Sequence, residues 1–248
     1  MKRGTLLRYL SELLEPARFT DHCPNGLQVE GSNTVERIVA GVSASQALID
    51  VAIERGADTL LAHHGWFWQN EDRRVIGFRK TRLHALLMHD INLIAYHLPL
   101  DAHPRFGNNA RLAALLDWRV DGRFGDQDMG WHGHPASVQT LIELAGRITG
   151  VFHREPLVIG NAAHRIERLA WCSGGGQDYF EEAVALGVDA FVSGEISEHA
   201  VHLARESGVA YLVVGHHASE RYGVQALAAH LAMEFDIKCE FVDIDNPV

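Results

Sequence analysis

Three strand-like apolar runs in this sequence end in histidine. Thr59-Leu60-Leu61-Ala62 leads into His63-His64, and Ile91-Asn92-Leu93-Ile94-Ala95-Tyr96 into His97, with Asp101 four residues on. Tyr211-Leu212-Val213-Val214-Gly215 leads into His216-His217, with Glu220 four residues beyond the first of that pair. Imidazole and carboxylate are the side chains that borderline divalent metals take, and the three clusters hold more donors than one ion uses. The pattern points to a two-metal site.

Geometry constrains that reading. Adjacent residues on a strand point to opposite faces, so His63 and His64 can share a site only if the chain turns, which Gly65 permits. A spacing of four, as in His97/Asp101 and His216/Glu220, puts two side chains on one face of a helical turn. Pro99 argues for a tight turn rather than a regular helix at the first of these pairs. Any one His-His pair is equally well a polar loop tip or a hydrogen-bonded core group; three clusters at equivalent strand ends weigh against coincidence. His84, His89, His199, His202 and His230 fall inside helical patterns and read as packing or solvated residues. His132 and His134 flank Gly133 in an irregular stretch and are candidate substrate contacts.

The elements that must position these groups alternate strand and helix from Ile38 onward, the signature of a helix-covered sheet that is largely parallel. Before that, Leu6, Leu7, Leu10, Leu13 and Leu14 form one face of a helix that ends near Pro16. The chain also repeats. Ile38–His64 and Leu169–Glu195 share a plan of strand, turn, helix and strand, and an offset of 131 lays Gln46 on Gln177, Gly56 on Gly187, Asp58 on Asp189 and His64 on Glu195. The expected fold is therefore α/β, with two similar lobes from an internal duplication and a dinuclear metal site in the cleft between them. Ligands bind at the carboxyl ends of strands in open α/β sheets, where all three histidine clusters lie. The Gly- and Asp-rich segment 121–133 is the expected boundary, giving lobes 1–125 (His63, His64, His97, Asp101) and 126–248 (Glu195, His216, Glu220). A helix is expected at about 137–148, and 237–244 alternates like a strand.

Composition narrows the class. Of 248 residues 47% are hydrophobic and 22% charged, as in an ordinary globular protein. A formal net charge of -10 argues against general nucleic-acid binding. The three cysteines, Cys23, Cys172 and Cys239, form no CxxC pair and read as reduced, buried thiols. The first residues start like a signal peptide, but Arg8, Glu12 and Glu15 break the apolar stretch. With no run long enough for a membrane span, the expected compartment is the cytoplasm.

Several ordered motifs carry a resemblance to a known family. Pro24-Asn25-Gly26-Leu27-Gln28-Val29, Gly41-Val42-Ser43-Ala44-Ser45, His63-His64-Gly65, His97-Leu98-Pro99-Leu100-Asp101 with Asn108-Asn109, Gly174-Gly175-Gly176, Ser193-Gly194-Glu195 and Gly215-His216-His217-Ala218-Ser219-Glu220 together resemble the YbgI family. These are the Ngg1-interacting-factor-like proteins, type 2 homologues of GTP cyclohydrolase I. The resemblance runs from the first helix to Asn246-Pro247 and is weakest over 121–165.

The resemblance implies a toroidal homohexamer with two divalent ions per chain, held by His63, His64, Asp101, His216 and Glu220, with His97 beside them. Zn, Fe, Mn, Co and Ni all suit such donors. The implied chemistry is hydrolysis of a nucleotide or related heterocycle by a metal-activated water. Glu195 would act as a base behind the ligands or orient one of them, and the basic stretch containing Arg79, Lys80 and Arg82 would meet phosphate unless it is simply a solvated helix face. Two readings of other classes stand beside this one: a metal-binding or metal-delivery protein without turnover, and an oligomeric adaptor.

Overall fold

In the computed structural model, which describes residues 1–248, the chain forms two compact units. The first comprises Met1–Gly107 and Arg221–Asp245, the second Asn108–Glu220 and Asn246–Val248. The divide thus falls at Gly107/Asn108 rather than at 125/126. The Gly- and Asp-rich segment expected to separate the lobes is instead part of a hairpin inside the second unit. No helix is long and apolar enough to cross a membrane.

The first unit is built on a five-stranded sheet. Its strands are β1 (Gly26–Val29), β2 (Arg37–Ser43), β3 (Thr59–His64), β4 (Asn92–Ala95) and, returning near the end of the chain, β13 (Lys238–Phe241), in the order β1-β4-β3-β2-β13. All neighbours are parallel except edge strand β1. Helices α1 (Arg3–Leu14), α2 (Gln46–Glu54), α3 (Phe78–Met88) and α4 (Leu98–Ala102) complete the part before residue 107.

Alternation along β2 divides this core. Ile38, Ala40 and Val42 pack with Leu6, Leu10 and Leu14 of α1, whereas Val39 packs with Leu48, Ile49 and Ala52 of α2. Side chains of successive strand residues face opposite ways, so a strand apolar at every position is one covered on both faces.

The second unit carries a six-stranded sheet. It runs from α5 (Asn108–Leu116) through β5 (Trp118–Phe124), β6 (Gly130–Pro135), β7 (Gln139–Thr140), α6 (Leu141–Phe152), β8 (Leu157–Ile159), β9 (Arg165–Ile166), β10 (Leu169–Cys172), α7 (Phe180–Ala185), β11 (Ala190–Ser193), α8 (Glu198–Ser207) and β12 (Ala210–Val213). The sheet order is β5-β6-β10-β11-β12-β8, with β10, β11 and β12 parallel; β7 and β9 form a separate small pair. Helix α9 (His216–Phe235) opens in this unit, and from Arg221 its residues count with the first. The helix expected at 137–148 begins only at Leu141, because Thr140 caps it: the Thr140 Oγ1 accepts from Glu143 N, and Glu143 in turn accepts from Thr140 N at 2.7 Å.

Features that the offset of 131 brought together recur as structure. Asp58 Oδ2 accepts from the backbone N–H of Glu36 and Arg37 at 2.7 and 2.9 Å, and Asp189 Oδ2 accepts from Glu167 and Arg168 at 2.9 and 2.8 Å. Each aspartate thereby fastens the start of its strand to the entry of the strand before it. Gly56 and Gly187, two residues earlier, have φ of 63° and 68°, the left-handed conformation that closes a helix.

Candidate metal centre

In the first unit the parallel strands β3 and β4 end side by side and bring His63, His64 and His97 together. His63 and His64 are the last two residues of β3, within the strand rather than beyond it. Their ring centroids nonetheless lie 4.5 Å apart, and His97 is 5.3 and 5.7 Å from them. One ring nitrogen from each of the three lies within 4.8 Å of the others. His63 is fully buried and His64 partly so.

Each imidazole is held by its Nδ1. That of His63 donates to the Tyr96 carbonyl at 3.0 Å, and that of His64 is hydrogen-bonded to Ser43 Oγ at 3.2 Å. His97 Nδ1 donates to Asp21 Oδ1 at 2.7 Å. A histidine whose Nδ1 carries the proton presents Nε2 as the lone-pair donor, the tautomer a metal needs.

Asp101 stands four residues after His97 on α4, and its backbone N–H reaches the His97 carbonyl at 3.1 Å. The expected tight turn is therefore a short helix. Pro99 lies in its first turn, where a missing N–H breaks no helical bond. Asp101 is buried, with Oδ2 3.5 Å from His63 Nε2.

Asp21 is the residue that sequence reasoning missed. It sits in the loop before β1 and, besides His97, accepts from Asn25 Nδ2 at 2.8 Å and Leu98 N at 3.0 Å. Burial pushes its carboxyl up, but the bonds and charge from His97, with those from Asn25 and Leu98, outweigh burial and hold it down at about 2. Nearby Cys23 goes the other way: burial, then the Asp21 charge, pushes its thiol up to about 12, so it stays a neutral core thiol.

The second unit holds its own set. His216 opens α9, and its Nε2 lies 3.1 Å from Glu220 Oε2 one helical turn on. Its Nδ1 donates to Glu195 Oε1 at 2.7 Å. Burial lowers the affinity of this imidazole for a proton, yet the two carboxylates, Glu220 first and Glu195 second, raise it to about 9. An imidazole held between two carboxylates takes up a cation, and a divalent ion on its Nε2 can replace the proton there.

The Gly174–Gly176 loop after β10 approaches this pair closely. Gly174 has φ 61°, and a Cβ there would collide with Glu220 Oε1 and lie 3.1 Å from His216 Nε2. At Gly194 a Cβ would strike the Gly174 carbonyl at 2.6 Å and His216 Cα at 2.7 Å. Both glycines leave room for the two ligand candidates.

The proposed substrate contacts are placed differently. Arg79 and Arg82 lie on α3 with their guanidinium carbons 4.7 and 5.2 Å from the centroid of the Phe78 ring, while Lys80 is exposed to solvent. His132 lies on β6, half-buried, with the Phe124 ring 6.3 Å away. Among the helical histidines, His230 stacks on Phe106 and reaches the Tyr9 hydroxyl at 2.5 Å, and His84, His89, His199 and His202 are exposed.

An α/β chain with two groups of imidazole and carboxylate donors at its strand ends falls in the class of proteins whose site chemistry suits divalent cations. Within that class the chain belongs to the Duf34/NIF3 (NGG1p interacting factor 3) family, whose match spans residues 1–247. It is 50% identical over 243 residues to the GTP cyclohydrolase 1 type 2 homolog of Allochromatium vinosum, covering 98% of this chain and 96% of that protein. The solved structure of protein ybgI, described as of unknown function, matches with a TM-score of 0.96 and 45% identity over 100% of both chains. The crystal structure of a Thermus thermophilus protein, TTHA1606, matches with a TM-score of 0.90 and 36% identity, again over 100% of both.

Proposed function

We propose that this chain binds two divalent metal ions and uses them to hydrolyse a nucleotide or related heterocycle, in keeping with the cyclohydrolase-homologue name its relatives carry. The observation that carries the reading is the convergence of His63, His64 and His97, each held at Nδ1 by a partner of its own. Asp101 adds a carboxylate to this group in the first unit, and the second unit has its own donors in His216 and Glu220, so each unit offers ligands with positions left for water or substrate. Their fit is chemical as well: neutral imidazoles and buried carboxylates are what Zn, Fe, Mn, Co or Ni take.

Two bound cations would supply a water acidic enough to ionise near neutral pH and a polarised group for it to attack. The chain's own residues do the rest. Asp21 and the Tyr96 carbonyl fix the tautomers of His97 and His63. Glu195, as a carboxylate, accepts a hydrogen bond from His216 Nδ1 and, at 38% side-chain exposure, would receive a proton from a water entering the site. Arg79 and Arg82 offer charge to a phosphate, with Lys80 as an outer contact in the same unit, and His132 is a candidate substrate contact of the second unit.

The test is a hydrolysis screen of nucleotides on metal-replete protein and on His64→Ala. Turnover lost by about a hundredfold or more in the variant is the expected result. Bound metal without turnover of any nucleotide would instead favour metal handling. A cytoplasmic ring of six chains completes the proposal; exposed Leu87 and Met88 at the end of α3 are apolar surface of the kind a subunit contact covers. Light scattering that gave a monomer mass would exclude the ring.

A further inference from the structure

The first unit contains a cavity of about 500 Å³ that no metal-ligand candidate lines. That size is typical of small-molecule sites. Aromatic rings from Trp66, Phe67, Trp68 and Phe78 line it, with Arg79 and Arg82 of α3. Both indoles are tied at their polar edges, Trp66 Nε1–H to the Ala44 carbonyl at 2.8 Å and Trp68 Nε1–H to the Gly65 carbonyl at 3.2 Å. With the N–H groups engaged, the rings have π surface left to offer. Trp68 also meets His97 edge-on, with ring centroids 5.0 Å apart, and lies 5.9 Å from His64. A ligand resting on Trp68 is one ring away from the histidine cluster.

Two further observations mark this cavity as a built site. Phe67 has φ 65°, a left-handed backbone that bulky side chains avoid, and it is 51% exposed. Folding alone would favour Gly or Asn at such a position; a phenyl ring held there against conformational preference suits a role in binding. The Nε of Arg82 is shielded from solvent and has no hydrogen-bond partner. A donor in that state gains when a ligand brings an acceptor. Glu71 lies 3.6 Å from Arg79 and competes for it, which leaves Arg82 as the principal anion contact.

We infer that the cavity is a recognition subsite for a planar heteroaromatic ring carrying a phosphate. The ring stacks on the tryptophan and phenylalanine walls, and the phosphate meets Arg82, assisted by Arg79. This deepens the nucleotide reading given above and rests on it for what happens at the metals, but binding itself is independent of turnover.

The test is equilibrium dialysis of metal-replete, full-length protein with GMP and guanosine as probes. Phe67→Gly removes the ring and relieves the backbone, so it is expected to keep or raise Tm while weakening GMP by about tenfold. Arg82→Gln is expected to weaken GMP by about tenfold but guanosine by less than about threefold, with metal content unchanged in both variants. Saturable GMP binding with these losses and no hydrolysis would uphold the subsite and remove the hydrolase. Nucleotide turnover with an unaltered KM in both variants would uphold the hydrolase and overturn the subsite. Absence of saturable GMP binding in the low millimolar range, or equal affinities in wild type and variants, would also overturn it.

Discussion

Four imidazoles in this protein are each held by Nδ1: His63 by the Tyr96 carbonyl, His64 by Ser43, His97 by Asp21 and His216 by Glu195. Engagement at Nδ1 gives Nε2 the role of ligand atom in each ring. Supporting contacts of this kind set ring orientation and ligand basicity, and their loss commonly lowers metal affinity by about 10–100-fold. Asp21→Ala is therefore expected to weaken metal binding by about that factor, with Asp21→Asn, which keeps an acceptor, retaining more of it. Competition against a chromogenic chelator measures both, and wild-type affinity in Asp21→Ala would show that His97 needs no such partner. The histidines and their four-residue spacings were legible in the sequence because apolar strands frame them. Asp21 was not, because 76 residues separate it from His97 and only the fold joins them.

Helix and strand ends do the positioning. Helix α9 starts with His216 and sets Glu220 one turn later, while the loop after β10 must pass close by, which only glycine allows at 174. Gly174→Ala puts a methyl group against the Glu220 carboxylate and a left-handed backbone under strain. The expected effects are a loss of stability of about 1–3 kcal/mol and impaired metal binding, read by urea unfolding and metal content. A variant with wild-type stability and a full metal complement would disprove this account of the loop.

At α6, Thr140→Ala is expected to cost about 1 kcal/mol, since the threonine side chain caps the helix. Glu143, its reciprocal partner, has a carboxyl held below its ordinary value of 4.5 by hydrogen bonds from the Thr140 backbone N–H and side chain. A depressed pKa gives stability that is full above the ordinary value and is lost as pH falls through the depressed one, so the wild-type advantage at this cap should shrink on acidification. An equal difference between wild type and Thr140→Ala at pH 7 and pH 3 would contradict the reciprocal pairing. The Thr-x-x-Glu signature was present in the sequence, yet the helix was expected about four residues early because apolar periodicity alone does not locate a cap.

At the scale of the molecule, alternating strands and helices were enough to read an α/β chain, and the paired Asp58 and Asp189 interactions show the same local plan in each unit. The boundaries were not legible. Gly and Asp residues between 121 and 133 carry turn chemistry, and turns within a hairpin look like linkers until β5 and β6 are seen to pair. The return of residues 221–245 to the first unit depends on Val224, Leu227 and Leu231 packing with Leu6 and Leu10 of α1, contacts between opposite ends of the chain. Nothing local in α9 announces them.

The central claim is that the chain binds two divalent ions, through His63, His64, His97 and Asp101 in the first unit and through His216 and Glu220 in the second. Metal content per chain of anaerobically purified protein tests it most directly, measured on wild type, His64→Ala and His216→Ala. About two equivalents of transition metal in wild type, reduced in each variant, is the expected result. Wild-type protein that retains no metal and takes none up from micromolar solution would contradict the account.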